Sequence, residues 1–365
     1  MLRRPMTRLA TAVAVAGTVT ALGAGAALAA PAATWHHPHA PVPGAFTTST
    51  PALSSVTFPN PIGQGLMVAW RGVGVLGHIH YKYRTLATGH WSHEGTVPGT
   101  EALTGASPAI GSYIDPLGRH AVLAVWQGRA NNLIWYSQGE TLANGTIDWT
   151  TPASLPSTIR FSKTYSAPTV FFPEHSGNVV LAWRGEYNHV RYLVGTPAVR
   201  GFTWAQSFVV PGPPSTPPKV HCVTAPCTSD TPAVTEQTTS TSTGLIYVFW
   251  KQLGTTNMYY STTVDGPGTN WSHLTWTGPT QVTGAKALTG PSASIPNVNG
   301  IGPVLLVYKS PFGTLLRYQT LSGGVWSAPA FVYGSRSDVA PALDKNVLAY
   351  TTVGSSGNIE LRVYS

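Results

Sequence analysis

One short pattern recurs six times along this chain, and this repeat limits the possible folds more than any other feature. Each copy begins at a proline or alanine and contains apolar segments that end in aromatic residues; five of the six end at a tryptophan. The starting residues are Pro51, Pro108, Pro168, Pro232, Ala293 and Pro341, at spacings of 57, 60, 64, 61 and 48. A period of this length is typical of propeller blades.

The second segment of each copy is a short apolar run rich in β-branched and aromatic residues, such as LMVAW or VVLAW, which predicts a strand. The aromatic residues that close these runs are Trp70, Trp126, Trp183, Trp250, Tyr308 and Tyr350. A third strand and a tryptophan strand follow. Four antiparallel strands per copy predict an all-β, six-bladed β-propeller. Two tandem β-sandwiches are the alternative, but they do not explain the constant position of the tryptophan.

The sixth copy stops at Ser365 before reaching a tryptophan. The missing element has a counterpart near the start of the chain, where Trp35 and the residues after it run parallel to the segment that begins at Trp91. We therefore expect the Trp35 strand to complete the sixth blade. This pairing would tether both ends of the ring and remove an open sheet edge.

The first residues match a secretory signal peptide. Arg3, Arg4 and Arg8 precede a weakly apolar stretch that ends in Ala-Leu-Ala at Ala29, so we predict that residues 1–29 are cleaved after Ala29. A membrane anchor is the alternative, but this stretch is poor in large apolar residues and no later run of about 20 apolar residues follows. The expected product is a secreted, monomeric propeller formed by residues 30–365.

The chain is poor in charge. Charged residues make up 9% of the sequence, against about 25% in a typical soluble domain. The formal net charge is +8, and loss of the three signal arginines lowers it to +5. Because no run of Lys or Arg is present, a nucleic-acid interface is not expected. We expect a glycan or another extracellular polymer as partner, with no cofactor and no metal.

Residues 211–230 form one long, proline-rich insertion that contains Cys222 and Cys227. In an oxidising compartment, this pair predicts a small disulfide within the loop. A metal site that adds His221 and Asp230 fits zinc chemistry but needs reduced thiols. The insertion is interpreted either as a binding rim or lid or as a tolerated surface loop.

A cation follows the second-strand aromatic residue in most copies, often in the order aromatic, cation, glycine. In the structural interpretation, the long cation covers the aromatic ring and glycine allows a positive φ in the turn. In the functional interpretation, a sugar stacks on the ring and hydroxyls bind the cation. The candidate ligand-binding residues are Trp70, Arg71, Trp126, Arg129, Trp183, Arg184, Trp250, Lys251, Tyr308 and Lys309.

Carboxylates bear on catalysis, because glycoside hydrolysis generally uses two that face each other across the scissile bond. The chain has 13 Asp and Glu residues. Those expected on the same face as the cations are Glu101, Glu186, Asp230 and Asp338, and a catalytic pair would be sought among them. Chance placement also explains them, since each copy supplies at most one carboxylate to this face, in no repeated position.

The segments VLAVWQG…IWYS and VLAWRG…RYLV resemble those of secreted sialidase-like and fungal fucose-lectin-like six-bladed propellers. Sialidase likeness implies an exo-glycosidase with three arginines, a Tyr–Glu nucleophile pair and an aspartic acid. The chain has no R-I-P segment, and residues 263–271 are a degenerate form of the sialidase Asp box. Lectin likeness implies an arginine, matched by Arg71 and Arg184, and a glutamate on the next strand, matched only by Glu360.

The leading hypothesis is a non-catalytic, carbohydrate-binding propeller that uses aromatic and cation sites between blades. A sialidase-like glycoside hydrolase with an active site in the central funnel is the first alternative. A scaffold that binds proteins or the cell envelope is the second. Enzymatic activity is left open.

Overall fold

The computed structural model describes residues 35–36, 41–73, 77–100, 106–211, 230–297, 300–354 and 357–365. In this part of the chain, antiparallel strands form six separate sheets, which are the six blades of the predicted propeller. The described residues contain no α-helix, and a 3-10 turn at Glu186–Asn188 is their only helical segment. The prediction of an all-β, six-bladed β-propeller is confirmed.

The strands are numbered in chain order, beginning with β1 (Trp35–His36). Blade one contains β2 (Ala52–Phe58), β3 (Gly63–Arg71), β4 (Ile79–Thr85) and β5 (Gly95–Thr96). Blade two contains β6 (Ala109–Ile114), β7 (His120–Gln127), β8 (Ile134–Thr141), β9 (Ile147–Trp149) and β10 (Ala153–Ser154). Blade three contains β11 (Thr169–Phe171), β12 (Val179–Arg184), β13 (Val190–Ala198), β14 (Gly201–Trp204) and β15 (Phe208–Val209).

Blade four contains β16 (Ala233–Ser240), β17 (Thr243–Lys251), β18 (Asn257–Asp265) and β19 (Thr277–Lys286). Blade five contains β20 (Ser292–Ser294), β21 (Val304–Lys309), β22 (Leu315–Ser322), β23 (Val325–Trp326) and β24 (Ala330–Arg336). Blade six contains β25 (Ala342–Asp344), β26 (Val347–Thr351), β27 (Ile359–Tyr364) and β1. In blades two, three and five, two short strands share the fourth position, since both pair with the third strand.

The ring closes as predicted. β1 pairs antiparallel with β27, so that Trp35 lies opposite Tyr364 and His36 opposite Val363. The first strands contact one another in a closed circuit, from β2 through β6, β11, β16 and β20 to β25 and back to β2. These first strands therefore surround a central channel.

A separate apolar cluster fills each of the six interfaces between neighbouring blades. In β12, Val179 and Leu181 face blade two, whereas Val180 and Ala182 face blade four. Because both faces of a blade are buried against neighbours, the second strands are hydrophobic at almost every position rather than at alternate ones.

The repeated tryptophans occupy one equivalent place in these interfaces. Trp204, for example, packs against the cluster between blades two and three, and Trp326 against the one between blades four and five. Trp271 lies in a turn ahead of β19 rather than within the fourth strand, so the strand assignment of that tryptophan is wrong, although its packing position is kept. The constant tryptophan position thus reflects a packing requirement at each interface.

The propeller has two faces. The upper face carries the turns between second and third strands and the connections from each fourth strand to the next blade. The lower face carries the other two sets of turns.

Candidate functional site

The glycine after the second strand makes room for a side chain from the third strand. A Cβ at Gly128 would lie 2.4 Å from Trp135, and a Cβ at Gly185 would lie 2.4 Å from Arg191. Gly185 itself has a φ of −91°, and neither glycine belongs to the described residues with positive φ. The expectation that these glycines supply positive φ is therefore wrong, because close approach of the facing side chain is what requires them.

The second-strand aromatic residues that were predicted to bind ligand are core residues. Their side chains are at most 2% exposed, and they are Trp70, Trp126, Trp183, Trp250 and Tyr308. Each ring faces the preceding blade, since Trp126 belongs to the cluster shared with blade one and Trp183 to the cluster shared with blade two. Because these rings are buried, a ligand could contact them only at the inner end of a binding site.

Several of the predicted cations hold the upper-face turns and connections. Lys251 Nζ lies 3.2 Å from Asp230 Oδ2, and Lys309 Nζ donates to the Asp338 carbonyl oxygen at 2.9 Å. Arg184 Nε donates to Asn188 Oδ1 at 2.8 Å. These contacts support the structural interpretation of the cations in blades three, four and five.

Blades one and two differ from that pattern. Arg71 is buried, and burial, together with the nearby charge of Arg129, lowers the pKa of its guanidinium. Arg129 is exposed in the turn between β7 and β8. Two guanidinium groups therefore lie close enough to influence each other at this interface.

The cavities of the described residues include one of about 370 Å³ at the centre and one of about 270 Å³ at the upper end of the interface between blades one and two. The residues that line this second groove are His78, Gly99, Trp126, Gly128, Arg129, Ala130, Asn131 and Trp135. Trp126 forms its buried wall, and the half-buried Trp135 and exposed Arg129 lie nearer to solvent. We call it the one–two groove. It combines an indole, a guanidinium, an imidazole and an amide in one concave site.

Local contacts fix the side chains of the one–two groove. Asn131 Oδ1 accepts from the Leu133 backbone N–H at 3.1 Å and from Trp135 Nε1 at 3.5 Å. His78 Nδ1 lies 2.8 Å from the carbonyl oxygen of Thr100. A groove whose walls are held in this way is preorganised for a ligand.

Replacement of Gly128 by alanine tests this packing. The added Cβ would overlap Trp135 at 2.4 Å, so we expect Gly128→Ala to lose about 1–3 kcal/mol of unfolding free energy in a urea titration. Gly201→Ala is the matched control, because its Cβ would meet no atom within 4 Å. Equal stability of the two variants would contradict the assigned role of Gly128.

Apart from Glu360, which the likeness to lectins indicates, the third-strand partners of the buried aromatic residues are not predicted from the sequence. In the antiparallel register, each second-strand aromatic residue lies opposite one third-strand residue. From blade one to blade six these residues are His80, Trp135, Arg191, Tyr259, Arg317 and Glu360. Some of these partners stack on the ring, as His80 does on Trp70 at 5.9 Å. Their identity differs from blade to blade, so the six interfaces differ chemically at their upper ends.

The candidate catalytic carboxylates lie in or next to different blades. Glu186 lies in the 3-10 turn of blade three, Asp230 lies just before blade four, and Asp338 lies just before blade six. The carboxylate of Asp230 is bound to Lys251. Glu101 lies outside the described residues, as do Cys222, Cys227 and most of the insertion 211–230.

The central channel is lined mainly by residues in or next to the first strands, such as Pro51, Ala109 and Ser294. Among the described residues of this lining, the charged side chains are Glu174, Asp344 and Lys345, and arginine, histidine and tyrosine are absent. Asp344 Oδ2 accepts from the backbone N–H and the hydroxyl of Ser55, both at 2.7 Å. The described lining therefore does not contain the three arginines and the tyrosine that sialidase likeness implies.

A buried acidic cluster lies on the lower face between blades three and four. The side chains of Glu236 and Asp265 are 4% and 1% exposed. Glu236 Oε2 accepts from the Glu174 backbone N–H at 2.7 Å, and Asp265 Oδ2 accepts from that of His175 at 3.2 Å. Burial, and the charges of Asp265 and Glu174, raise the pKa of Glu236 to about 8. The cluster holds the β11–β12 turn against blade four.

Within the described part of the chain, no group of three or more His, Cys, Asp or Glu residues has the arrangement of a metal site. The same residues contain no helix that is long and apolar enough to cross a membrane.

Comparison with known proteins identifies structural relatives but no sequence family. No protein-family model matches the chain, and no curated protein sequence matches it. The structure is similar to a Penicillium chrysogenum alpha-L-arabinanase complexed with arabinobiose, with a TM-score of 0.54, 12% identity and coverage of 86% of this chain and 92% of that chain.

Two other similar structures belong to different functional classes. The Aleuria aurantia lectin, in complex with a fucosylated GlcNAc ligand, has a TM-score of 0.54 and 11% identity over 88% of this chain and 95% of that chain. The GH93 alpha-L-arabinofuranosidase of Fusarium graminearum, in complex with arabinobiose, has a TM-score of 0.53 and 9% identity over 86% of this chain and 92% of that chain. At these identities, the likeness establishes the fold, a six-bladed propeller shared by lectins and glycoside hydrolases.

Proposed function

We propose that this protein is a secreted, non-catalytic, carbohydrate-binding propeller of lectin-like type. The observation that carries the proposal is the one–two groove, where Trp135, Arg129, His78 and Asn131 line one cavity of about 270 Å³. A cavity of this size accommodates a sugar unit. The fold is also used by a lectin crystallised with a fucosylated ligand, although likeness of fold does not by itself establish function.

The groove offers the two kinds of contact that sugars need. The exposed part of the Trp135 indole provides a flat apolar surface for the C–H face of a pyranose or furanose ring. Arg129 supplies guanidinium donors, while the amide nitrogen of Asn131 and Nε2 of His78 add further hydrogen-bonding groups. This combination orients a ring by stacking and selects it by its hydroxyl pattern.

A glycan array followed by titration of the best ligand tests the proposal. We expect Trp135→Ala and Arg129→Ala each to weaken binding about tenfold or more, which corresponds to about 1.4 kcal/mol. Tyr333→Ala and Arg336→Ala are the matched controls, since both residues are exposed on the outer strand of blade five. No binding on the array, or equal affinity of groove and control variants, would contradict the proposal.

A glycoside hydrolase is the second candidate, because two structures of similar fold are an arabinanase and an arabinofuranosidase and the central cavity has a volume of about 370 Å³. Its catalytic carboxylates would be sought among Glu101, Glu186, Asp230 and Asp338, with Glu174 and Asp344 added by the channel lining. Turnover of an aryl arabinofuranoside or sialoside that is lost on changing one carboxylate would favour this candidate over the lectin.

The proposal also covers export of the protein, cleavage of its signal peptide and formation of its disulfide. Residues 1–29 would be removed as a signal peptide, residues 30–365 would form one monomeric domain, and Cys222 would pair with Cys227. Mass spectrometry of the exported protein tests the cleavage site and the disulfide together. The partner would be a glycan or another extracellular polymer rather than a nucleic acid. Binding only to proteins would instead identify a scaffold.

A further inference from the structure

Arg191 occupies, in blade three, the position that Trp135 occupies in blade two. Each residue is the third-strand partner of the second-strand tryptophan, Trp183 and Trp126 respectively. The Arg191 side chain is buried, with 5% of the residue exposed, and it lies across Gly185. The upper end of the interface between blades two and three, which we call the two–three groove, thus presents a cation where the one–two groove presents an indole.

Among the described residues, the Arg191 guanidinium has an aromatic neighbour but no hydrogen-bond partner. Its Cζ lies 4.0 Å from the centroid of the Phe161 ring. Nε is buried without a hydrogen bond, and in the described part of the chain no hydrogen bond or ion pair involves the guanidinium. Leaving a buried charged donor without an acceptor costs free energy. A bound acceptor would therefore be favoured at this site.

The chain around Arg191 has the features of a surface built to receive a ligand. Phe161 is 43% exposed and has a φ of +59°. Tyr187, in the β12–β13 turn of blade three, is also exposed and has a φ of +59°. Bulky residues adopt this conformation at a cost, and such strain concentrates at functional sites. Phe161 thus combines a strained backbone with direct contact to the guanidinium.

Charge around the two–three groove is mainly positive. Arg160 and Lys163 are both exposed in the connection that carries Phe161. Glu186 is the acidic residue of that turn, and its charge only partly offsets the burial that lowers the pKa of Arg191. An anionic group would thus be attracted to this part of the upper face.

We propose that the two–three groove binds the carboxylate of an acidic, uronate-type sugar and that Arg191 is its anchor. This inference rests on the proposed carbohydrate-binding function. A guanidinium presents parallel N–H donors in one plane, which matches the two oxygens of a carboxylate. The Phe161 ring lies 4.0 Å from the guanidinium carbon, and because it has no hydrogen-bonding atoms it does not compete for the guanidinium donors. Trp135 and Arg191 would then give neighbouring grooves different ligands, a neutral ring and an acidic ring.

Isothermal titration with trigalacturonate and with its methyl ester tests the inference on the unaltered protein. The ester keeps the sugar rings and removes the negative charge. We expect the acid to bind at least tenfold more tightly than the ester. Equal affinity for the two forms, or no binding of the acid, would overturn the inference.

Variants locate the anion site. We expect Arg191→Gln to bind trigalacturonate at least tenfold more weakly, and Arg191→Lys to recover only part of that loss, because lysine keeps the charge but lacks the fork. Arg200→Gln is the matched control, since Arg200 is an exposed arginine in the β13–β14 turn on the lower face of the same blade. A melting curve checks the fold of each variant.

The outcome separates this inference from the proposed function. If Arg191→Gln binds trigalacturonate like the unaltered protein, the assignment of Arg191 is overturned. Loss of neutral-glycan binding in Trp135→Ala would in that case still support the one–two groove as a sugar-binding site. If Trp135→Ala has no effect on any glycan, the proposed function fails at its own site. The Arg191 and Trp135 variants therefore need to be titrated with both classes of ligand.

Discussion

A chain that lacks residues 30–45 is expected to melt about 10 °C or more below a chain that begins at residue 30. The deleted segment carries Trp35, which lies opposite Tyr364 in the closing pair and packs edge-on against Tyr318 at 5.7 Å. It also carries Val42, which is 2% exposed in the core between blades six and one. Loss of such side chains costs about 2–5 kcal/mol each, and each kcal/mol lowers the melting temperature of a large domain by about 2 °C or more.

Point substitutions test whether the lower melting temperature comes from loss of the closing contacts or only from shortening of the chain. Trp35→Ala and Val42→Ala should each reproduce part of the loss, because each removes side-chain packing at the closing blade. Val325→Ala is the control, since Val325 is exposed on the outer edge of blade five. Thermal melts followed by circular dichroism give the comparison. A deletion that melts at the same temperature as the intact ring would show that β1 does not close the propeller in solution.

The second large effect concerns the buried acid Glu236. In the unfolded chain, a glutamate has a pKa near 4.3, whereas burial beside Asp265 and Glu174 raises the pKa of Glu236 to about 8 in the folded chain. The folded state therefore holds a proton that the unfolded state has already released. By linkage, this contribution to stability is fully present below about pH 4 and is lost as the pH rises to about 8.

We expect Glu236→Gln to remove that pH dependence. The amide stays neutral at every pH, so the variant should lose less stability than the unaltered chain between pH 5 and 8, by on the order of 5 °C in melting temperature. His175 Nε2 is the basic group that lies near this carboxyl, 3.8 Å from Glu236 Oε1. Parallel melting curves for the two proteins would contradict the assignment.

Asp115 provides a control of opposite sign. Burial alone would raise its pKa, but hydrogen bonds from Arg119 and from the backbone lower it. Its contribution is therefore present at neutral pH and is lost as the pH falls through its folded pKa. Asp115→Asn should lower the melting temperature near pH 7 and have less effect in acid, whereas Glu236→Gln should matter most toward pH 8.

The sequence was sufficient for the architecture because the repeat encodes packing. Each second strand places a large aromatic residue in the core facing the preceding blade, and each blade contributes a tryptophan farther out in the same interface. These requirements recur at every interface, so they appear as a period in the chain. The unpaired Trp35 then identified the closing strand for the same reason.

The site was only partly predictable, because it depends on register across strands rather than on position along the chain. The aromatic residue before each turn is predicted correctly, but it forms the buried wall, and Trp135 and Arg191 come from the neighbouring third strand. Glu236 and Asp265 are separated by 29 residues and meet at a blade interface with Glu174. No local motif indicates such a meeting.

The two grooves and the channel offer different chemistry to a ligand. The described lining of the channel is made mainly of small first-strand residues with few charged side chains, whereas the one–two groove combines Trp135 with Arg129. Hydrolysis needs two well-placed carboxylates, but binding needs only a flat apolar surface with oriented donors and acceptors. The described residues meet the second requirement more fully than the first, which is why binding is the proposed function.

Fluorine NMR of protein labelled with 5-fluorotryptophan tests the central claim most directly, during titration with the best glycan from the array. The resonance of Trp135, identified by its absence in Trp135→Phe, should shift in a saturable way, while that of the fully buried Trp183 should stay unchanged. That result would place the sugar in the one–two groove. Saturable binding with no change at Trp135 would place the ligand elsewhere and contradict the account.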